Sequence, residues 1–74
     1  MDINKIKDIR DAMPFRRFSI ELNSGRLVEV PSSDHLFIST GQKYVIVENG
    51  HLFIIDLESI SALVMETPKN TNGQ

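Results

Sequence analysis

Cysteine and tryptophan are absent from this 74-residue sequence, and neither sign of charge is in strong excess. The lack of cysteine excludes a disulfide framework and any metal site built on thiolates. The 10 acidic and 8 basic residues give a net charge of −2 and a pI near 5.5. The overall basic charge of a typical nucleic-acid-binding domain is therefore missing, so such binding would need a local basic patch.

Long apolar runs are also missing, since the longest continue for only four residues, as in 52–55. That is far below the roughly 18 apolar residues of a membrane-spanning helix. Residues 1–11 lack the apolar segment of a signal peptide, so we expect a cytoplasmic protein. A single domain of this size buries only about 60% of its unfolded surface, and neighbouring subunits often complete so thin a core.

The N-terminal residues have the spacing of an amphipathic helix over 2–13, with Asp2 as its N-cap. Pro14 is expected to end this helix because the residue before a proline avoids helical backbone angles. The predicted apolar stripe consists of Ile3, Ile6, Ile9 and Met13.

Alternating apolar and polar residues on either side of Asn23-Ser24-Gly25 predict a β-hairpin. A three-residue loop with glycine in the left-handed position determines its register. The expected pairs are Phe18 with Val30 and Ile20 with Val28 on the inner face, and Ser19 with Glu29 and Glu21 with Leu27 on the outer face.

Asn49-Gly50 between two apolar runs is a strong signal for a second hairpin. With these two residues as the loop, one predicted face consists of Val45, Val47, Leu52 and Ile54. The other predicted face consists of Tyr44, Ile46, Phe53 and Ile55. Both faces are then apolar. The second face must lie under the helix, against another subunit, or both.

The rest of the chain reads as short strands and a tail. Residues 36–39 form either a third strand or the far half of a bent second strand, and a tight turn at 56–59 precedes a last strand at 60–65. Residues 67–74 have nothing to bury and are expected to be disordered. The predicted fold is mostly β, with the helix followed by a five-stranded, strongly bent, SH3-like small barrel in one domain, 1–66.

Three segments resemble the Sm/LSm/Hfq family, in the order of their elements more than in identity. They are a glycine-led strand at 25–30, an acidic-then-apolar segment at 34–37, and an apolar strand, tight turn and closing strand at 54–63. The resemblance implies an Sm-like barrel and a homo-oligomeric ring of about five to seven subunits, in which 51–57 pairs with 61–66 of the next subunit. The stretch from Pro14 is also similar to short bacterial proteins with P-F-x-x-F-x-I-x-L-x-x-G-R, a likeness that implies no function.

Two positions depart from the RNA-binding motifs of that family. Ile38 stands roughly where the family reads a base with asparagine, and Asp56-Leu57 stands where it has an arginine-glycine or lysine-histidine pair. An acidic group there would repel phosphate. The resemblance therefore implies a ring whose RNA-binding site is non-standard or degenerate.

The two strands that would pair around the ring are apolar and nearly free of the lysine and proline that protect exposed strand edges. A closed ring would remove both edges. The predicted interface residues are Leu52, Phe53, Ile55, Leu63 and Met65.

A small basic and aromatic cluster is the candidate surface for single-stranded RNA, because arginine suits phosphate and phenylalanine suits base stacking. Its members are Lys7, Arg10, Phe15, Arg16 and Arg17. The alternative interpretation places Phe18 in the core, uses Phe15 to cover the helix, and leaves both neighbouring arginines in solvent.

The sequence has no catalytic signature, and we expect no cofactor and no metal. His35 and His51 lie 16 residues apart, without the spacing of metal ligands, and the serines lack the context of a nucleophile. Two functions of different classes remain open. One is an Sm-like RNA-binding ring, and the other is a protein-interaction or assembly module that uses the barrel without nucleic acid.

Overall fold

The computed structural model describes residues 1–65, and the tail predicted at 67–74 lies outside the described residues. In the described part the chain forms one α-helix, six strands and two 3₁₀ turns. They are α1 (Ile3–Arg10), β1 (Phe18–Leu22), β2 (Leu27–Val30), a 3₁₀ turn (Ser33–His35), β3 (Leu36–Ile38), β4 (Tyr44–Glu48), β5 (Leu52–Asp56), a 3₁₀ turn (Leu57–Ser59) and β6 (Ile60–Met65).

Helix α1 begins as predicted and ends early. The Asp2 carboxylate accepts a hydrogen bond of 2.9 Å from a backbone N–H of the first turn, which is the geometry of an N-cap. The helix ends at Arg10 and not at 13. Met13 is 94% exposed, so a longer helix would bury nothing there, whereas Ile6 is fully buried in the core.

The first hairpin has the predicted register throughout. Its four inner side chains are each no more than 2% exposed, namely Phe18, Ile20, Val28 and Val30. Gly25 has a φ of +91°, which a residue with a side chain rarely adopts. β1 also pairs with β6 along its other side, giving a three-stranded antiparallel sheet in the order β2-β1-β6.

The second hairpin is one residue out of the predicted register. Glu48 pairs with Leu52, so the loop contains three residues and His51 is the third. The Asn49 N–H donates to the His51 carbonyl oxygen at 3.0 Å within this loop. A shift of one residue reverses the face of every side chain on the shifted strand. The predicted faces were therefore wrong: the inner face is Val45, Val47, Phe53 and Ile55, and the outer face is Tyr44, Ile46, Leu52 and Ile54.

The predicted five-stranded barrel also needs correction. The described residues form two three-stranded sheets, β2-β1-β6 and β3-β4-β5, whose inner faces share one core, and no closed barrel is found among them. Pro31 has no backbone N–H, and the 3₁₀ turn at Ser33–His35 then redirects the chain, so β3 is a separate strand. No helix among residues 1–65 is both long enough and apolar enough to cross a membrane.

Candidate assembly and RNA-binding surfaces

Among residues 1–65, no strand pairs with the outer edge of β5 or with that of β6. The open edge of β5 presents backbone groups of exposed apolar residues. The Leu57 N–H donates to the Lys43 carbonyl oxygen at 2.9 Å just beyond the β4–β5 ladder. Hydrogen-bonded and non-hydrogen-bonded pairs alternate in an antiparallel ladder. The backbone N–H and C=O groups of Leu52 and Ile54 therefore point away from β4, toward the open edge.

The open edge of β6 can be derived in the same way. The Leu22 N–H donates to the Arg26 carbonyl oxygen at 2.9 Å, so alternate residues of β1 bond to β2 and the others bond to β6. With the register of β1 and β6, the backbone groups of Leu63 and Met65 point away from β1. Each outer strand therefore offers donors and acceptors at a spacing of two residues.

Neither of these edges carries the usual protection against pairing. The strands read LFIID and ISALVM, without lysine, arginine or proline. Natural proteins commonly place such residues on edges that stay in solvent. The two edges therefore have the apolar side chains and the outward-pointing backbone groups that favour strand addition.

The predicted interface residues fall into three groups. Leu52 is 66% exposed, and Ile55 is only 5% exposed and belongs to the core. Phe53, Leu63 and Met65 are half-buried and pack against the core. Four of the five side chains are thus at least partly exposed, and the Ile55 side chain is buried.

A cleft of about 400 Å³ lies between α1 and β6. Its lining is Met1, Lys5, Asp8, Ile9 and Leu63. Because Leu63 also belongs to the open edge of β6, the cleft adjoins that edge.

Two of the predicted RNA-binding residues, Arg10 and Arg17, are paired with carboxylates. The Arg10 side chain donates two hydrogen bonds to Asp11, at 2.8 and 3.1 Å. These bonds raise the pKa of Arg10 and lower the pKa of Asp11. Arg17 lies 3.1 Å from a carboxylate oxygen of Glu29 across the first hairpin. Both pairings reduce the positive charge that would attract phosphate.

The other members of the predicted RNA surface are divided between packing and solvent. The Phe15 ring is half-buried, with its centroid 6.0 Å from that of Phe18, which is in the core. Lys7 is half-buried on α1, and Arg16 is exposed. The alternative interpretation of this stretch is therefore confirmed for Phe18.

The sequence did not predict one cationic and aromatic group, because it forms only where the loop of the first hairpin meets the second hairpin. The Arg26 guanidinium lies 5.2 Å from the centroid of the Phe53 ring, and the His51 ring lies 6.3 Å from the same ring. Asn49 links the same loop to β2 by donating a hydrogen bond of 2.7 Å to the Glu29 carbonyl oxygen. Only the correct register of the second hairpin could have indicated this grouping.

The histidines show no metal-binding arrangement. The His35 Nδ1 atom lies 2.8 Å from the Ser32 hydroxyl oxygen. Among residues 1–65, no group of three or more histidine, cysteine, aspartate or glutamate side chains is placed to hold a metal ion.

No protein-family model matches this sequence, and no curated protein or solved structure matches it either. Function is therefore inferred from the geometry of the chain itself.

Proposed function

We propose that the chain is a non-catalytic assembly module that closes into a homo-oligomeric, Sm-like ring of about five to seven subunits. The open edge of β5 in one subunit pairs with the open edge of β6 in the next. The observation that carries this proposal is the pair of unprotected apolar edges, whose backbone groups at Leu52, Ile54, Leu63 and Met65 point outward.

The two edges belong to different strands, so their contact is head-to-tail. A head-to-tail contact produces a closed ring when its rotation closes and a filament when it does not. A cytoplasmic location belongs to the same proposal, because extracellular domains of this size are often crosslinked by the cysteines that this sequence lacks.

Strand addition would also complete the thin core. Side chains on one face of β5 come to lie beside side chains on the same face of the added β6. In an antiparallel addition, residues whose backbone groups point at each other lie directly opposite and on one face, so Ile54 lies beside Leu63 or Met65 of the neighbour. On the other face, the half-buried Phe53 lies beside Val64, which is 44% exposed.

Single-stranded RNA is a second candidate ligand of such a ring. The observation that favours it is the group of Arg26, His51 and Phe53, since an arginine beside aromatic rings suits both phosphate and bases. The pairing of Arg10 with Asp11 and of Arg17 with Glu29 weighs against strong binding. Assembly is therefore the primary function proposed, and RNA binding is secondary to it.

Amide hydrogen exchange on the full chain tests the edge pairing directly. In the ring, the amides of Leu52, Ile54, Leu63 and Met65 are bonded to a neighbour, so they should exchange slowly. They should become faster on dilution, as subunits separate, while amides inside the sheets keep their protection. Exchange of these four amides at the rate of loop amides at every concentration would contradict the proposal.

A further inference from the structure

The backbone directions at the two open edges allow only a few registers between β5 of one subunit and β6 of the next. Every ladder between the described strands is antiparallel. In such a ladder, residues whose N–H groups point at each other lie directly opposite. The N–H groups of Leu52 and Ile54 point out of one edge, and those of Leu63 and Met65 point out of the other. The possible registers therefore differ in steps of two residues.

One of these registers matches the two strands in length and in chemistry. With Ile54 opposite Leu63 of the neighbour, Leu52 lies opposite Met65. All of β5 is then paired within β6. Asp56 lies at the level of Ser61, which has no charge, so no like charges oppose each other in this ladder.

The two adjacent registers are less favourable. A shift in one direction places Met65 beside Ile54 and the Asp56 carboxylate beside Leu63, where the carboxylate would lose water without gaining a hydrogen-bond partner. A shift in the other direction places the small polar Ser61 beside Ile54. It also carries Met65 beyond the first residue of β5.

The favoured register brings Ile54 to the cleft between α1 and β6 of the neighbouring subunit. Leu63 is part of the lining of that cleft, so the cleft lies on the face of β6 from which the Leu63 side chain projects. Residues directly opposite in a ladder project from the same face, with Cβ atoms about 5 Å apart. The Ile54 side chain is therefore directed toward Ile9 and Met1, the other apolar residues of the lining. The two charged residues of the lining have opposite signs.

We propose that Ile54 of each subunit occupies the α1–β6 cleft of the next subunit, with Ile54 opposite Leu63 and Leu52 opposite Met65. This inference rests on the proposed ring and specifies its interface. It gives a place to the two most exposed apolar side chains of β5, since Leu52 is 66% exposed and Ile54 is 68% exposed. Helix α1 then has two roles, because it covers the core of its own subunit and the edge strand of the neighbour.

Intersubunit disulfides test the register, because the chain has no natural cysteine. Single-cysteine chains are mixed two at a time, with a tag on one chain of each mixture, and then oxidised. The four variants are Leu52→Cys, Ile54→Cys, Leu63→Cys and Met65→Cys. Directly opposite residues have Cα atoms about 5.5 Å apart, which a disulfide can span, whereas positions two residues out of register are more than about 7 Å apart.

Each cysteine enters one matching mixture and one crossed mixture, so effects on folding or reactivity cancel. The matching mixtures are Leu52→Cys with Met65→Cys and Ile54→Cys with Leu63→Cys. The crossed mixtures are Leu52→Cys with Leu63→Cys and Ile54→Cys with Met65→Cys. We expect at least about tenfold more linked heterodimer from the matching mixtures than from the crossed ones.

Dissociation of the ring tests the contact in the cleft. Ile54→Ala and Ile9→Ala should each weaken assembly, and together they should weaken it at least about threefold less than the product of their separate effects, because the two side chains contact each other. Ile3→Ala is the matched control, since Ile3 is also half-buried on α1 but does not line the cleft. Its effect should multiply with that of Ile54→Ala. Light scattering over a concentration series measures dissociation.

The possible failures are distinguishable. More heterodimer from a crossed mixture than from the matching ones would overturn the register and leave the edge pairing intact. Independent effects of Ile54→Ala and Ile9→Ala would overturn the contact in the cleft. No linked heterodimer from any mixture, together with a monomeric mass, would contradict the ring itself.

Discussion

Ile54 and Ile55 are consecutive residues of β5 on opposite sides of the boundary between surface and core. Ile54 is 68% exposed, and Ile55 is 5% exposed. Ile55 pairs with Val45 in the inner layer, while Ile54 pairs with Ile46 in the outer layer. Alternate residues of this one strand therefore belong to the core, and the residues between them are exposed to solvent.

This alternation predicts opposite effects for the same substitution at adjacent positions. Ile55→Asp should destabilise the fold by at least about 3 kcal/mol, because it removes a buried apolar side chain and places a charge in the core. Ile54→Asp should change the free energy of unfolding by less than about 1 kcal/mol. Urea unfolding followed by circular dichroism measures both. Equal losses in the two variants would show that the register of the second hairpin is incorrect.

The first hairpin could be predicted residue by residue, and the second could not. Both signals were clear in the sequence, but Asn49-Gly50 predicted a loop of two residues, and the structure has a loop of three, Asn49-Gly50-His51. The choice is made by backbone hydrogen bonding between Asn49 and His51 and by the tie from Asn49 to β2. The hydrogen bond from Asn49 to β2 depends on tertiary structure, which no local sequence pattern reports.

The sequence predicted the apolar strand edges but not the ion pairs of the basic stretch. Apolar edges on the last two strands follow from composition, and the structure leaves Leu52, Phe53, Leu63 and Met65 near them. The basic stretch suggested an RNA surface because a sequence shows that an arginine is charged. It does not show which carboxylate lies beside that arginine in the fold. The partner of Arg17 is Glu29, on the opposite strand of the hairpin.

A proline at the open edge of β6 should separate the ring into subunits. Leu63→Pro removes an N–H that points away from β1, so the loss falls mainly on pairing with a neighbour. Leu63→Ala is the control, since it removes the side chain and keeps the amide. Light scattering should show a much lower mass for the proline variant than for the alanine variant, with similar circular dichroism spectra for both. Identical masses would mean that this amide takes no part in assembly.

Removing the carboxylate beside Arg17 should strengthen binding of single-stranded RNA. Glu29→Gln removes the carboxylate that lies 3.1 Å from Arg17. The slope of log affinity against log salt should then become steeper by about 0.7, the value for one phosphate contact on a single strand. Glu48→Gln makes the same change of charge on the other sheet and should have less effect. Fluorescence anisotropy with a labelled oligouridine over a salt series measures both, and equal effects would remove Arg17 from the RNA surface.

The Arg10–Asp11 pair predicts a shifted titration. Hydrogen bonds from Arg10 hold the pKa of Asp11 below its ordinary value, which is near 3.9 in model peptides. The pair therefore contributes fully above that value, and its contribution disappears as the pH falls through the lower pKa of the folded state. NMR titration should show this low midpoint, and Arg10→Gln should raise it. A midpoint that does not move in Arg10→Gln would contradict the pairing. The effect on overall stability should be small because the pair is on the surface.

Native mass in solution tests the central claim most directly. Light scattering on the full chain at low micromolar concentration should give one closed multiple of 8.4 kDa, of about five to seven copies. A monomer at every accessible concentration, or an open distribution of masses without a preferred number, would contradict a ring built from the edges of β5 and β6.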